Sequence, residues 1–277
     1  MICAWKQLLD ILPVWLRPEV DRQGKSSLQE LRLRIEKEPE LIFGSKRSHI
    51  HRKISEEDLR HVIHSASRYS PWLASSTAEG YLTAPGGHRI GVCGEAVMQN
   101  GSMTGFRSLR SLNIRVARDL PGISRELIGL PGSLLIIGSP GSGKTTLLRD
   151  LIRGRSQLQQ VGVVDERGEL FPPCAAFDTG PGTDIITGCP KQNGIEMILR
   201  TMGPETIAVD EITASGDCDA LISAGWCGVS LLATAHAADL KDLRSRNVYK
   251  PLISCGLFDT LVIMSRDKSF RVERMRL

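Results

Sequence analysis

The sequence has few aromatic residues and only a small excess of charge, which bears first on possible partners. Aromatic residues make up 5% of the 277 residues, and the formal net charge is +4, with the basic excess in the first half. Proteins that bind nucleic acids usually combine a strong basic surface with aromatic side chains that stack on bases. We therefore expect no nucleic acid among the partners of this protein.

Paired cysteine motifs, long apolar runs and a leader pattern are also lacking. The seven cysteines are odd in number and include no C-x-x-C pair, so we expect reduced thiols without disulfides or zinc. No apolar run approaches the length of a membrane span. Residues Met1–Lys6 lack the basic-then-apolar start of a signal peptide. We expect a cytoplasmic protein, either free or peripheral at the inner side of a membrane.

The length allows two domains, each with its own core. Paired Pro-Gly turns at Pro121 and Pro131 bracket a short helix over 124–130, so we predict an N-terminal domain over 1–120, a linker over 121–133 and a second domain over 134–277. The N-terminal domain is predicted to be a small mixed α/β unit. Its predicted elements are a helix over 3–16 closed by Pro18, strands over 28–35, 41–43 and near Ile50, a helix from Ser55 to about Tyr69, and a hairpin beginning with 89–97 and turning at Asn100-Gly101.

The apolar face of the first helix permits two interpretations. Trp5, Leu8 and Leu12 recur at helical spacing and continue to Leu16. Such a face can pack on its own domain, or it can dock on a neighbouring subunit or a membrane surface.

Strands and helices alternate throughout the second half, which predicts a mostly parallel sheet covered on both faces. The predicted fold class is therefore α/β, of the P-loop (RecA-like) type. Its predicted strands are 134–137, 161–164, 206–209, 230–235 and 260–264, with 270–275 as a closing hairpin strand.

A glycine loop follows the first of these strands and leads into an amphipathic helix. It matches the Walker A pattern G-x-x-x-x-G-K-[ST] over Gly138, Ser139, Pro140, Gly141, Ser142, Gly143, Lys144, Thr145 and Thr146. Glycines let backbone N–H groups close around an anion at the start of a helix. Lys144 would reach the β- and γ-phosphates and Thr145 would bind Mg²⁺, so the loop predicts a nucleoside triphosphate site.

Three further strand ends carry polar chemistry, and such ends meet at one edge of a parallel sheet. Asp210 suits holding Mg²⁺ through a water molecule or through Thr145, and Glu211 suits the base or the positioning group for the attacking water. Residues 165–169, Asp-Glu-Arg-Gly-Glu, are either a second acidic group at the site, with Glu166 as an alternative base, or a solvated loop. His236 could sense the γ-phosphate or the neighbouring carboxylates.

Together these motifs resemble the stage III sporulation AA family, which is related to the type II and type IV secretion ATPases. The resemblance rests on 138–150, Asp165-Glu166-Arg167, residues 187–191 (Thr-Gly-Cys-Pro-Lys), Asp210-Glu211-Ile212 and Thr234-Ala235-His236. Arg89-Ile90-Gly91 and residues 111–115 extend it to the N-terminal domain, so that it covers nearly the whole chain.

The resemblance implies an ATPase that uses ATP and Mg²⁺ and forms a hexameric ring. It places residues 165–169 in an acidic box and His236 in a histidine box. It further implies that arginines of the N-terminal domain reach the nucleotide; the candidates are Arg107, Arg110 and Arg115. The client would be a membrane channel that the ATPase assembles or drives during sporulation, in contact with channel proteins at the cytoplasmic face.

The chain departs from the secretion ATPases at two points. Asp210-Glu211 stands where they usually have Gly-Glu, and residues 213–217 stand where they commonly have an arginine and acids. Two other function classes also remain open. One is a nucleic-acid-associated P-loop ATPase or loader, and the other is a nucleotide-dependent assembly switch with little turnover.

Overall fold

The computed structural model describes residues 3–25, 27–67, 80–172 and 177–275. The chain forms two compact units. The first consists of the described residues up to Arg118 together with Pro172, and the second of Asp119–Phe171 and the described residues from Phe177 onward.

The first unit contains a six-stranded antiparallel sheet with the strand order β3-β2-β1-β6-β5-β4. The strands are β1 (Glu30–Arg34), β2 (Glu40–Phe43), β3 (Lys46–His49), β4 (Tyr81–Thr83), β5 (Arg89–Gln99) and β6 (Ser102–Arg115). The helices of this unit are Trp5–Asp10, Arg17–Gly24 and Glu56–Ser67, with a 3₁₀ turn at Pro85–Gly87. The last part of the helix predicted to reach Tyr69 lies outside the described residues.

The prediction of one helix over 3–16 is wrong, because the chain forms two short helices there. The first ends at Asp10, and Pro18 stands in the first turn of the second helix instead of closing the first. Pro13 explains the break, since proline has no N–H and its ring clashes with the carbonyl four residues earlier. Leu8, Leu12 and Leu16 are fully buried in the core of the first unit, so this segment packs on its own domain.

Strands β5 and β6 form the predicted hairpin. At its turn, Asn100 and Gly101 have φ angles of 51° and 80°. Positive φ at both central residues is the mark of the type I′ turn, which matches the twist of the flanking strands.

The second unit contains a seven-stranded sheet with the order β13-β12-β7-β11-β10-β8-β9. Its strands are β7 (Leu134–Gly138), β8 (Val161–Asp165), β9 (Thr183–Thr187), β10 (Thr206–Val209), β11 (Ser230–Ala235), β12 (Thr260–Met264) and β13 (Phe270–Arg274). All neighbours are parallel except β13, which pairs antiparallel with β12. The predicted α/β class and mostly parallel sheet are confirmed, whereas β9 was not predicted. The helices are Arg125–Ile128, Lys144–Arg155, Lys191–Thr201, Ser215–Trp226, Leu240–Ser245 and Lys250–Ser254.

The position of β7 inside the sheet explains why its sequence is continuously apolar. Leu135 and Ile137 belong to the core on one face of the sheet, and Leu134 and Ile136 belong to the core on the other. A parallel strand covered by helices on both faces has no polar side to present to water.

A buried ionic cluster fixes the helix Lys144–Arg155 to the chain segment that precedes β7. Asp150 accepts hydrogen bonds from the N–H groups of Gly122 and Ser124 at 2.9 and 2.8 Å. Arg153 donates to Asp150 at 2.7 Å and to Asp119 at 2.5 Å. Because these buried charges are paired, removal of one partner would leave a costly unpaired charge.

Among the described helices, none has both the length and the apolar character needed to cross a membrane. The six cysteines that the structure describes are free thiols, and Cys174 lies outside those residues.

Candidate nucleotide-binding site

The glycine loop connects β7 to the helix Lys144–Arg155 in a conformation that depends on its glycines, as Gly138 and Gly143 show. A Cβ at Gly138 would lie 2.7 Å from Ser142 Oγ and 2.8 Å from the carbonyl oxygen of Met264. Gly143 stands at the start of the helix with a φ of 102°, a region that side chains rarely adopt. The loop therefore folds back tightly over the end of its strand.

The loop offers unused hydrogen-bonding groups that fit a phosphate. The helix Lys144–Arg155 has no side-chain cap, so its first N–H groups remain available to a ligand. Ser142 Oγ is buried and has no hydrogen-bond partner among the described residues. A helix N-terminus with free donors favours an anion, which is the chemistry that a phosphate group requires.

Lys144 lies in this loop with its amine enclosed. Its Nζ donates to the carbonyl oxygens of Gly138 and Ser139 at 2.9 and 3.2 Å and to His236 Nδ1 at 3.1 Å. Burial lowers the pKa of Lys144, and the charges of Asp210 and Glu211 oppose that shift. The amine is thus a partly desolvated cation, a state in which attraction to a phosphate is strong.

Asp210 binds two hydroxyl groups, one on each carboxylate oxygen. Thr145 Oγ1 donates to Asp210 Oδ2 at 2.7 Å, and Thr234 Oγ1 donates to Asp210 Oδ1 at 2.5 Å. Strand β10 does not neighbour β7, because β11 lies between them, yet Asp210 still reaches the glycine loop through Thr145.

The oxygen ligands at this point fit Mg²⁺. A hydroxyl and a carboxylate are hard donors, and Mg²⁺ usually binds one or two carboxylates together with phosphate oxygens. Within the described ranges, no group of three His, Cys, Asp or Glu residues could hold a metal ion by itself. Thr145 and Asp210 therefore fit an ion that is shared with a nucleotide.

Glu211 lies beside His236 in a strained backbone conformation. Its φ is 54°, in the left-handed region, which costs a residue other than glycine on the order of 1 kcal/mol or more. Glu211 Oε1 lies 2.9 Å from His236 Nε2, and Arg167 lies 3.4 Å from Oε2. Since the Lys144 ammonium can only donate, His236 Nδ1 must accept, and the hydrogen-bond network assigns the ring proton to Nε2, which donates to Glu211.

The acidic loop after β8 is built around Asp165. Its buried carboxylate accepts three backbone hydrogen bonds at 2.9 Å, from the N–H groups of Glu169, Leu170 and Phe171. Burial raises the pKa of Asp165 to about 6, against the lowering effect of these donors, and the nearby charge of Asp210 adds to the rise. Asp165 thus holds the loop closed in a turn.

Glu166 follows Asp165 and makes an ion pair with Lys191, whose side chain is buried. The two charged atoms are 2.6 Å apart, and Lys191 Nζ also lies 3.8 Å from Asp217. A cleft beside these residues brings both predicted acidic pairs together; its lining consists of Asp165, Glu166, Arg167, Glu169, Lys191, Asp210 and Glu211.

The three candidate arginines lie on β6 of the first unit. The side chain of Arg107 is exposed and pairs with Glu95 on the neighbouring strand at 2.9 Å. Arg110 and Arg115 are also exposed. Their proposed role toward a nucleotide remains a prediction.

Three residues that contact the predicted acids have no individual role predicted from the sequence, namely Thr234, Lys191 and Arg167. Thr234 is the second-last residue of β11, two positions before His236, and polar residues at neighbouring strand ends are the signal that could have marked it. Lys191 begins a helix and lies far from the acids in sequence, so only the fold reveals its pairing with Glu166.

The parallel sheet, the glycine loop and the convergent strand ends define a P-loop protein of the RecA-like class. The chain belongs to the family described as "Sporulation stage III, protein AA", whose model matches residues 5–273. Stage III sporulation protein AA of Bacillus subtilis is 35% identical over 280 residues, which cover 95% of this chain and 91% of that protein.

Solved structures of secretion and pilus ATPases share the fold. The Legionella pneumophila ATPase DotB matches with a TM-score of 0.63 and 15% identity, over 95% of this chain and 80% of its own. The pilus retraction motor PilT, solved with bound ADP, matches with a TM-score of 0.60 and 14% identity. The match covers 95% of this chain and 78% of the PilT chain. At these identities the likeness concerns the fold.

Proposed function

We propose that this protein is an ATPase that powers the assembly of a membrane channel, or transport through it, during sporulation. The observation that carries the enzymatic part is the arrangement around the glycine loop. Lys144, His236 and Glu211 form one continuous chain of contacts, and Thr145 and Asp210 lie beside it. The sporulation family and the secretion-ATPase fold support the cellular part of the proposal.

The residues divide the work of hydrolysis between binding and proton transfer. The glycine-loop N–H groups and Lys144 would bind the phosphates, and Thr145 and Asp210 would hold Mg²⁺. ATP supplies the phosphoryl bond that is cleaved, and Mg²⁺ neutralises charge on its oxygens. Glu211 would take a proton from the attacking water, while His236 orients the Glu211 carboxylate through Nε2–H.

The contact between Lys144 and His236 gives His236 a way to respond to phosphate. Lys144 must turn its ammonium group toward the phosphates when they bind, which weakens its hydrogen bond to His236 Nδ1. His236 and its partner Glu211 would then be free to readjust around the attacking water. This is the role of phosphate sensor that the position of His236 predicts.

The decisive experiment measures ATP binding and phosphate release by the purified chain and by Lys144→Ala. We expect the substitution to abolish turnover, because no other cation of the loop can replace the buried ammonium group. Lys241→Ala, which removes an exposed lysine of the same unit, is the matched control and should keep wild-type turnover.

Two outcomes would contradict the proposal. Phosphate release by folded Lys144→Ala at the wild-type rate would remove the glycine loop from the reaction. ATP binding by the wild-type chain with no turnover, alone or in its assembled form, would instead favour a nucleotide-dependent assembly switch.

A further inference from the structure

Thr234 is fully buried and lies between the two acidic residues that follow β10. Its Oγ1 donates a hydrogen bond to Asp210 Oδ1 at 2.5 Å and accepts one from the backbone N–H of Glu211 at 2.7 Å. A threonine hydroxyl has one donor and two acceptor sites, so both contacts exist at the same time. One hydroxyl group therefore contacts both the candidate metal ligand and the candidate base.

The contact to Asp210 fixes the direction of its carboxylate. Thr145 Oγ1 bonds Oδ2 at 2.7 Å, so that hydroxyls hold the group from both sides. Thr145 is itself a candidate ligand of Mg²⁺ and would turn its oxygen to the ion. Thr234 would then be the hydroxyl that keeps Asp210 in place.

The contact to Glu211 fixes its backbone. Glu211 has a φ of 54°, and two hydrogen bonds that Thr234 of β11 accepts hold the chain at this point. Glu211 N–H donates to Thr234 Oγ1, and the next N–H, of Ile212, donates to the carbonyl oxygen of Thr234 at 2.8 Å. The left-handed turn places the Glu211 side chain against His236. Without the hydroxyl, the Glu211 N–H loses its partner and the turn can relax.

We propose that Thr234 is a positioning residue, whose hydroxyl sets the metal-binding carboxylate of Asp210 and the proton-accepting carboxylate of Glu211 in a common geometry. This inference rests on the proposed ATPase function. Outer-shell partners of metal ligands typically contribute about 10–100-fold in metal affinity or activity. Thr234 supplies such a partner to Asp210 and a backbone partner to Glu211.

The test compares Thr234→Val, which keeps the shape and removes the hydroxyl, with Thr234→Ser, which keeps the hydroxyl. Thr206→Val is the matched control, because Thr206 is equally buried and lies at the opposite end of β10. Thr206 Oγ1 accepts a partly buried hydrogen bond from Gln159 at 2.7 Å, so this control also loses a hydrogen bond of its hydroxyl group. The measurements are kcat for ATP, the Mg²⁺ concentration at half-maximal rate, ATP binding and thermal unfolding.

We expect Thr234→Val to lower kcat by about 10–100-fold and to require more Mg²⁺, while Thr234→Ser and Thr206→Val stay within about threefold of the wild type. Equal unfolding temperatures of the two valine variants would separate positioning from general stability. If Thr234→Val does not fold, Thr234→Ala takes its place in the same comparison.

Two results would overturn the inference while the ATPase function stands. One is a Thr234→Val protein with the turnover and Mg²⁺ requirement of Thr206→Val, and the other is an equal loss in Thr234→Ser and Thr234→Val. If the wild-type chain binds ATP without hydrolysing it, the ATPase proposal fails, and the Mg²⁺ dependence of ATP binding in the same variants decides the role of Thr234. If the wild-type chain does not bind ATP at all, both the ATPase proposal and the inference about Thr234 are overturned.

Discussion

Glu211 and Glu166 both line the cleft that the two acidic segments share, but their neighbours differ. Glu211 accepts a hydrogen bond from His236 Nε2 through one carboxylate oxygen, and Arg167 lies 3.4 Å from the other oxygen. Glu166 is held at 2.6 Å by the buried ammonium group of Lys191. Glu211 is linked through His236 to Lys144 of the glycine loop, whereas the short contact of Glu166 leads to Lys191. The contacts therefore favour Glu211 as the base.

We predict that Glu211→Gln binds ATP but hydrolyses it about 10²–10⁴-fold more slowly, because an amide keeps the shape of the side chain and cannot accept the proton. Glu166→Gln is the matched control and should keep most of the activity. Single-turnover phosphate release together with ATP binding measures both effects. Normal turnover in Glu211→Gln with an inactive Glu166→Gln would assign the base to the acidic loop instead.

At the residue scale, sequence reasoning identifies residue types and not their partners. The glycine pattern and the acids at strand ends pointed to Lys144, Asp210 and Glu211, which the structure brings together. Local patterning could not show that Thr234 bonds both acids or that Lys191 pairs with Glu166. Those contacts depend on strand order and on where a helix starts, and neither is encoded in the spacing of neighbouring residues.

At the element scale, the apolar runs that are buried on both faces were predictable to within a residue. β10, β11 and β12 have the predicted bounds, and β7 is one residue longer. β9 was missed because it is a half-buried edge strand of only five residues, with threonines and an aspartate around Ile185 and Ile186. Short edge strands lack the continuous apolar signal that marks the interior of a parallel sheet.

The helix Lys191–Thr201 packs so closely on β8 that its position depends on Gly194. A Cβ at Gly194 would lie 2.5 Å from Val164 Cγ1 and 3.1 Å from Cys189 Sγ. Val164 is buried in the sheet and cannot move aside without disturbing the core. Helix and strand must therefore separate if a side chain is added, and this would also shift Lys191 and the acidic loop.

We predict that Gly194→Ala lowers the free energy of unfolding by about 1–3 kcal/mol, the usual cost of overpacking a core. This exceeds the gain of up to about 1 kcal/mol that alanine brings to a helix interior. Asn193→Ala, at the exposed neighbouring position, is the control and should change stability by no more than about 0.5 kcal/mol. Denaturant unfolding measures both variants. A Gly194→Ala protein as stable as the control would show that the helix tolerates the added methyl group.

At the scale of the whole molecule, the hexameric ring that the family resemblance implies leads to a prediction about two copies of the chain. The exposed ion pair between Arg107 and Glu95 contributes little to stability, so Arg107 can exchange its partner for a phosphate at small cost. Arg110 and Arg115 are exposed on the same strand. A guanidinium group matches the oxygens of a transferring γ-phosphate, and such a contact can contribute about 10³–10⁵ in rate.

If one of these arginines acts on the nucleotide of a neighbouring copy, its alanine variant should bind ATP normally and lose turnover. Arg22→Ala, which removes another exposed and paired arginine of the first unit, should keep its activity. Mixing the inactive arginine variant with Lys144→Ala should then restore part of the turnover, because an intact glycine loop in one copy meets an intact arginine from the other. Particle mass with and without ATP would show whether the mixed assemblies form. Mixed assemblies that form without any rescue, together with full activity of a strictly monomeric preparation, would rule out both the arginine in trans and the catalytic ring.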